Sequence, residues 1–313
     1  MTAVPLSSQL IASLLNIRPL AAIAKHQARR MIISRAEALG IPWRAEVERL
    51  QSHQPQWEET LEEISNPEVT YPDYYCRSFH AYDEGNLGWA PALEVDVAAQ
   101  AVHARLWPSE DGRGDIQGDV RLRQAYHRVL RAHLPQSPEV SVDLGCSAGA
   151  STAALQQAFP DSRAIGVDLS PYFLVVARHC FNDSPNLSWR HGAAEATGLE
   201  AASVDLVSAF LLFHELPQSA AIAVLEEAQR ILRPGGHIAI MGMNPASPAY
   251  AKMPAYVRTL LRSTEPYLDE YFTFDLEGAI AAAGFERPKM EIISPRHRAL
   301  IAQVSRAPDL RAP

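Results

Sequence analysis

The sequence predicts an α/β protein built on a doubly wound, mostly parallel sheet. Val140, Val142 and Leu144 alternate with small or polar residues, as they do in a short buried strand. A glycine-rich turn and a helical pattern at 153–159 follow this run, and a second apolar run at 164–168 ends in an acid. A strand, a tight turn and a helix in this order form the first unit of such a sheet.

The turn after the first strand reads Asp-x-Gly-x-Ser-x-Gly and runs from Asp143 to Gly149. Gly145 and Gly149 carry no Cβ, so a ligand can approach the backbone closely there. The following helix start offers unpaired N–H groups to a polar or anionic group. A dinucleotide fingerprint would instead read Gly-x-Gly-x-x-Gly. Asp168 ends the second strand nineteen residues after Gly149, where an acid that binds ribose hydroxyls lies in such folds.

This turn resembles motif I of the class I S-adenosylmethionine (SAM) methyltransferases, although Ser147 stands where the family often has a third glycine. The resemblance covers about residues 118–306. It implies a Rossmann-like sheet with one antiparallel strand near the C-terminus, SAM as the cofactor, Asp168 as the ribose-binding acid and Asp143 as a residue that fixes the amino group. A turn that binds another nucleotide, or no ligand, is the alternative. The cofactor-binding residues that the resemblance implies are Asp143, Gly145, Cys146, Ser147, Gly149, Asp168, Leu169, Ala194, Glu195 and Phe210.

A third strand is predicted at 187–191, and Gly192-Ala193-Ala194-Glu195 follows it. In the family, this turn usually carries an acid that bonds the adenine amino group. Ala193 occupies the matching position, so we expect the contact to be absent or to be made by Glu195. The backbone N–H of Ala194 remains available to the adenine edge, because it needs no particular side chain. A solvated loop acid is the alternative interpretation of Glu195.

The fourth predicted strand, at 203–210, is apolar on both faces, as is typical of a central parallel strand. His214 and Glu215 follow it directly. Ligands bind outside the carboxyl ends of the strands in open α/β sheets, so both residues are predicted to lie at the site. We predict His214 as a general base for a hydroxyl acceptor and Glu215 as the residue that orients it. A histidine that only satisfies backbone groups at a helix start is the alternative.

The stretch from Tyr71 to Trp89 contains six aromatic residues among nineteen, against 8% in the whole chain. Rings that alternate with acids and a histidine are typical of a cleft wall. We predict that the stretch folds over the carboxyl ends of the strands and meets His214, with His80 as a second candidate base whose pKa lies near the reference of about 6.5. A loop that only anchors the N-terminal helices is the alternative. The predicted substrate-contacting residues are Tyr74, Tyr75, Tyr82, Trp89 and Glu215.

The chain is predicted to have a helical N-terminal cap at 1–117, a SAM-binding domain at 118–306 with an insertion at 245–272, and a tail at 307–313. The stretch 71–89 is also similar to that of methyltransferases with a helical N-terminal extension. Residues 1–36 contain five basic residues and no acid, and we predict two short packed helices there. Weak contact with an anionic membrane surface and a removable organelle-targeting segment are the alternatives. A tight turn at 232–236 is predicted to lead into a strand at 237–243.

Composition limits the function classes. The net charge of −8 and the lack of a Lys/Arg-rich run argue against a nucleic-acid-binding groove. No apolar run of 18 residues exists, which argues against a membrane span. The three separate cysteines predict a reducing compartment, the cytoplasm, and argue against a cysteine zinc site. The eleven histidines show no metal-binding spacing, so no metal is expected.

The resemblance implies methyl transfer from SAM to an acceptor, and the aromatic stretch favours a small, planar or lipophilic acceptor. Two alternatives remain. The first is a non-catalytic subunit that keeps the fold and binds a partner, and the second is a protein methyltransferase. A closed aromatic cap would favour the small molecule, whereas a groove open to solvent would favour the protein acceptor.

Overall fold

The computed structural model describes residues 18–80, 82–107, 112–181, 184–254, 257, 261–262 and 264–305, with the backbone alone for 18–26 and 28. A seven-stranded sheet lies at its centre. The strands in chain order are β1 (Val140–Leu144), β2 (Arg163–Asp168), β3 (Leu187–His191), β4 (Val204–Phe210), β5 (Leu232–Met243), β6 (Lys289–Ile292) and β7 (His297–Gln303).

The strand order is β3-β2-β1-β4-β5-β7-β6. The strands β1 to β5 pair in parallel, and β7 pairs antiparallel with both β5 and β6. The predicted fold class, including one antiparallel strand near the C-terminus, is therefore confirmed. The connections reverse direction between β1 and β4, and ligands bind at such a switch point in open α/β sheets.

Helices cover the sheet and build the N-terminal region. Short 3₁₀ turns lie at Gln54–Gln56 and Phe213–Glu215. The helices of the described residues are α1 (Arg18–Ala38), α2 (Trp43–Gln51), α3 (Trp57–Ile64), α4 (Trp89–His103), α5 (Gly118–His133), α6 (Ala150–Ala158), α7 (Pro171–Cys180), α8 (Gln218–Ile231), α9 (Pro248–Ala251), α10 (Leu268–Thr273) and α11 (Leu276–Ala282).

The central strands are buried on both faces. Val142, Leu144, Leu206 and Val207 are fully inaccessible to solvent, which explains why these segments read as continuous apolar runs. Burying such a side chain contributes about 1.5–3 kcal/mol. Because β1, β2 and β4 are held this firmly, the turns at their carboxyl ends have a rigid base.

Two apolar clusters hold the N-terminal helices on the domain. Trp57 of α3 packs with Phe173 of α7, and Ile33 of α1 packs with Trp43 and Val97. The described part of the basic segment therefore packs against the rest of the protein, as the packed-helix interpretation expects. The first helix expected near residues 10–15 lies outside the described residues. None of the described helices combines the length and apolar character that crossing a membrane requires.

The expected tight turn at 232–236 lies inside the span of β5, whose Leu232 already pairs with Val204. The next pair joins Leu206 to His237, so β5 has three more residues than β4 in this interval. Gly235, whose φ is +83°, lies in this bulge, and pairing with β4 resumes at His237. Parts of the expected insertion and the whole tail 307–313 lie outside the described residues.

Candidate active site

The turn between β1 and α6 has a backbone that requires glycine. Gly145 and Gly149 have φ values of +66° and +90°, in the left-handed region that other residues rarely adopt. A Cβ on Gly145 would lie 2.7 Å from Leu212 Cδ1, and one on Gly149 would lie 2.6 Å from Trp189 Cη2. Ser147 also has a positive φ, of +51°. The turn is therefore fixed by conformation and by space.

Asp168 joins the end of β2 to this turn. Its carboxylate accepts a hydrogen bond from the backbone N–H of Ser147 and another from that of Ser170, both at 2.8 Å. The residue is only 8% exposed. Burial raises the pKa of Asp168 to about 6, although both N–H groups favour the charged form. The structure thus places the predicted ribose-binding acid beside the glycine turn.

Asp143 holds the start of α6 on β1. Its Oδ2 accepts hydrogen bonds from Ser151 at 2.5 Å and from Thr152 at 2.8 Å. Burial raises the pKa of this carboxyl, and the two hydroxyls oppose the shift. Cys146 is also buried, which raises the pKa of its thiol well above the ordinary value. This cysteine is therefore a neutral packing residue in the turn.

The turn after β3 carries a second acid in a partly buried position. Glu195 Oε1 accepts a hydrogen bond from the Tyr74 hydroxyl at 2.7 Å, while Oε2 is buried without a partner among the described residues. Ala194 is buried, and so is Leu169 after β2. Glu195 therefore differs from a freely solvated loop acid, because one of its carboxylate oxygens is hydrogen-bonded and the other is buried.

The features around the glycine turn fit the cofactor that the sequence implies. Ser147 Oγ and Glu195 Oε2 are buried polar atoms without a hydrogen-bond partner in the described chain. Unpaired buried polar atoms are costly, and a polar ligand that bonds them removes this cost. The space kept open at Gly145 and Gly149 admits a ligand beside the backbone. The residues present can therefore hold SAM.

The first part of the aromatic stretch crosses the ends of β2 and β3. The Tyr71 hydroxyl lies 3.2 Å from His191 Nε2. His191 Nδ1 accepts from the backbone N–H of Asn66, which assigns the proton to Nε2, and Nε2 lies 3.0 Å from the Leu169 carbonyl oxygen. Further along, the Asn86 carbonyl accepts from Ser170 Oγ at 2.7 Å. The stretch is thus tied to the carboxyl edge of the sheet.

The second part of the stretch belongs to the cap. The Tyr82 hydroxyl donates to Glu94, which also forms an ion pair with Arg29. The Trp89 ring centroid lies 5.6 Å from that of Trp57, within the cluster that holds the N-terminal helices. These contacts are the ones that the anchor interpretation of the stretch expects, and the assignment of Tyr82 and Trp89 to the acceptor pocket stays a prediction.

His80 stands between two acids from different elements. Its Nε2 lies 3.0 Å from Glu265 Oε1 and 3.7 Å from Glu215 Oε1, and its backbone N–H donates to the Thr264 carbonyl. Burial alone would lower the pKa of His80, but Glu265 and then Glu215 raise it to about 9. The expected pKa near the reference value is wrong, because His80 carries a proton at neutral pH and cannot accept another.

His214 differs from His80 in both charge and partners. Burial lowers its pKa, with Glu265 opposing the shift, so the ring is neutral at pH 7. Nδ1 is buried and has no partner among the described residues, and the ring lies 6.3 Å from that of Tyr271 in an edge contact. Next to it, burial raises the pKa of Glu215 to about 8, and the charges of Glu265 and Asp168 add to the shift.

Two residues near the site had no clear signal in the sequence. Glu265 comes from the segment before α10, whose distance along the chain hides its contact with His80. Arg123 of α5 places its guanidinium 4.6 Å from the centroid of Phe210, and its Nη1 is buried without a partner in the described chain. Its positive charge opposes the rise that burial causes in the pKa of Asp143. Arg123 Nε donates to Asp119, which lies four residues earlier on the same helix, and this spacing is the one signal for Arg123 in the sequence.

Comparisons with known proteins agree with this geometry. Residues 142–236, from β1 to β5, match a family model described as a methyltransferase domain. Trans-aconitate 2-methyltransferase of Azoarcus sp. is 38% identical over 136 residues, which are 43% of this chain and 51% of that protein. Malonyl-[acyl-carrier protein] O-methyltransferase of Dechloromonas aromatica is 34% identical over 145 residues, 46% of this chain and 49% of that protein. The chain spans about half the length of these relatives.

Solved structures share the fold at low sequence identity. The CurJ carbon methyltransferase superposes with a TM-score of 0.52 and 15% identity over 84% of this chain and 71% of that chain. Phosphoethanolamine N-methyltransferase 2 of Haemonchus contortus, solved with SAM, gives a TM-score of 0.50 and 14% identity over 60% and 53% of the two chains. The domain match, the glycine turn with its partner acid and the sheet order agree, so residues 142–236 form a methyltransferase domain of the class I SAM-dependent type.

Proposed function

We propose that this protein transfers the methyl group of SAM to a small-molecule acceptor that binds beside the Tyr74–His80 segment. The observation that supports this most is the hydrogen bond between the glycine turn and Asp168, at the ends of two adjacent strands. This arrangement lies within the part of the chain that matches the methyltransferase domain.

The residues around the turn have distinct roles in holding the cofactor. Asp168 would bind the ribose hydroxyls, and the turn from Gly145 to Gly149 would hold the methionine part. The adenine would meet Ala194 and Glu195, whose Oε2 is free. Arg123 supplies a partly unpaired positive charge beside Phe210, which suits the methionine carboxylate.

SAM supplies a methyl group next to a positive sulfonium, so the task of the protein is to position the acceptor and exclude water. Tyr75 suits the second task, because its hydroxyl is buried. Burial raises the pKa of Tyr75 well above its ordinary value, and the charges of Asp168 and Glu215 add to this shift. His214 suits the first task. In the tautomer with the proton on Nε2, its free Nδ1 accepts a hydrogen bond from the reacting N–H or O–H of the acceptor.

The hydrogen bonds that the aromatic stretch makes to the site favour a small-molecule acceptor over a protein acceptor. The bonds of Tyr71 to His191 and of Tyr74 to Glu195 hold the stretch against the site, where a protein segment would need an open groove. The two relatives are named for trans-aconitate and for malonyl-[acyl-carrier protein]. Their names support methyl transfer, while the identity of the acceptor rests on the pocket of this chain.

Calorimetry with SAM tests the cofactor site. Asp168→Ala removes charge-assisted hydrogen bonds to the ribose, each worth about 1.5–3 kcal/mol, so SAM affinity should fall at least about tenfold. Asp161→Ala, which changes an exposed acid before β2, is the matched control and should bind SAM like the wild type. Wild-type protein that fails to bind SAM, or an Asp168→Ala variant with unchanged affinity, would contradict the proposal.

A further inference from the structure

The acceptor side of the site is acidic and incompletely hydrogen-bonded. Glu215 and Glu265 both face His80, with their Oε1 atoms 3.7 Å and 3.0 Å from its Nε2. Glu265 is only 7% exposed, and its Oε2 has no hydrogen-bond partner among the described residues. A buried carboxylate oxygen without a donor is costly, so a ligand that brings N–H donors would be bound favourably.

The cluster does not hold both of its acids in the charged form. Burial raises the pKa of Glu215 to about 8, and the negative charges of Glu265 and Asp168 add to this shift, while His80 opposes it. Without a ligand, Glu215 is therefore mostly a neutral carboxylic acid at pH 7. A cation that binds beside it would favour its charged form, whereas an anion would disfavour it. No group of three His, Cys, Asp or Glu that could hold a metal ion is found among the described residues.

The neighbours of the two acids also suit an organic cation. The Tyr75 hydroxyl is buried without a partner among the described residues, and the charges of Asp168 and Glu215 add to the effect of burial in raising its pKa. His214 Nδ1, which has no partner in the described chain, provides another acceptor for an N–H group. Aromatic rings with nearby carboxylates bind ammonium groups through cation–π contacts and charged hydrogen bonds.

We propose that the acceptor is an amine, bound as an ammonium ion between Glu215 and Glu265 and methylated on nitrogen. This inference rests on the proposed function and names its substrate class. Glu215, one-quarter exposed at its side chain, removes one proton from the ammonium and becomes a neutral carboxylic acid. The nitrogen lone pair then forms the N–C bond to the methyl carbon. The C–S bond breaks with its electron pair on sulfur, which gives S-adenosylhomocysteine and an N-methylammonium product.

The bound ammonium ion favours the charged form of Glu215, so the glutamate releases its own proton to solvent when the amine binds. Its raised pKa, about 8, then makes it a stronger base than an ordinary carboxylate. His80 holds Glu265 through a short contact, so Glu215 is left as the carboxylate without a direct hydrogen bond from the histidine. The two acids therefore have different tasks: Glu265 binds the ammonium ion, and Glu215 binds it and accepts its proton.

Three probes of similar size and different charge test the proposal by calorimetry on the full chain. They are phenethylamine, 3-phenylpropionate and 4-ethylphenol, each titrated with and without saturating S-adenosylhomocysteine. Phenethylamine should bind at least about tenfold more tightly than the other two. Glu215→Gln and Glu265→Gln should each reduce its affinity about tenfold, since each removes a charged acceptor while keeping the shape. Glu291→Gln, at an exposed acid of β6, should change nothing.

The outcomes separate this proposal from the proposed function. Equal or tighter binding of 3-phenylpropionate or 4-ethylphenol would overturn the amine assignment, as would binding of none of the probes or unchanged affinity in both glutamine variants. A failure of S-adenosylhomocysteine to bind would count against the proposed function alone, because the amine titrations are also run without it. Conversion of phenethylamine to its N-methyl product by wild-type protein and SAM, analysed by mass spectrometry, would support both.

Discussion

The two sides of the candidate site are built in different ways. The cofactor side uses backbone: glycines with positive φ, N–H groups that point to Asp168, and turns at the ends of neighbouring buried strands. The acceptor side uses side chains from distant segments, and His80, Glu215 and Glu265 meet there from three parts of the chain. A backbone site tolerates few substitutions, whereas a side-chain site can change its ligand while the fold is kept.

Gly149→Ala should give the largest loss on the cofactor side. The new Cβ would meet Trp189 at 2.6 Å, and the φ of +90° is strained for alanine. Strain and overpacking together should lower the free energy of unfolding by about 2–5 kcal/mol. Gly112→Ala is the matched control, because its φ of +67° is also in the left-handed region while no described atom lies within 4 Å of the added Cβ. Denaturant unfolding of both variants measures the difference, and equal losses would mean that space at Gly149 is unimportant.

Trp89→Ala should separate the two parts of the aromatic stretch. Trp89 packs against Trp57 of α3 and Tyr172 of α7, so its removal should lower the free energy of unfolding by about 2–4 kcal/mol. SAM affinity at a temperature where the variant is folded should stay near the wild-type value. Thermal unfolding and calorimetry are the measurements. A variant with wild-type stability and weakened SAM binding would instead indicate that Trp89 contributes to the site.

The pH dependence of SAM binding should report on Asp168. Its pKa of about 6 means that the carboxyl gains a proton as the pH falls through 6, and a neutral acid accepts weaker hydrogen bonds from the ribose. Affinity at pH 5 should therefore be about tenfold lower than at pH 7. Asp168→Asn should remove this dependence. Calorimetry at the two pH values measures it, and a flat profile in the wild type would contradict a protonation of Asp168 in this range.

In the absence of SAM, a rise in pH has the opposite effect through Asp168: it lowers the free energy of unfolding. The pKa of Asp168 is raised from 3.8 to about 6 in the folded protein, so its proton is held more strongly there than in the unfolded chain. The stabilisation from this proton is present below the unfolded value and is lost as the pH rises through about 6. SAM binding, which favours the charged form, offsets this loss.

Sequence patterns predict the cofactor side well, since its residues are close together along the chain. Apolar runs, the glycine turn and Asp168 at a strand end all depend on local geometry that the order of residues specifies. The turn expected at 232–236 is a bulge within β5 in the structure, because β4 pairs with β5 on both sides of Gly235. The ambiguity between a turn and a bulge is local, and pairing with β4 resolves it.

The acceptor side depends on contacts that a single sequence does not specify. Composition marks the stretch 71–89 as unusual, yet it does not divide Tyr74 and His80 from Tyr82 and Trp89, which face different neighbours. The charge of His80 could not be predicted either. It is set by Glu265, which lies 185 residues further along the chain and approaches through tertiary packing.

The central claim is that SAM and an acceptor react in this site, and mass spectrometry on a cell extract tests it most directly. Wild-type protein with SAM should convert at least one small molecule to a species heavier by one CH₂ group. The same product should form with deuterium-labelled methyl when the label is in SAM, and Asp168→Ala should abolish or greatly reduce it. A wild-type protein that binds SAM and yields no labelled small molecule, or one that labels proteins only, would contradict the account.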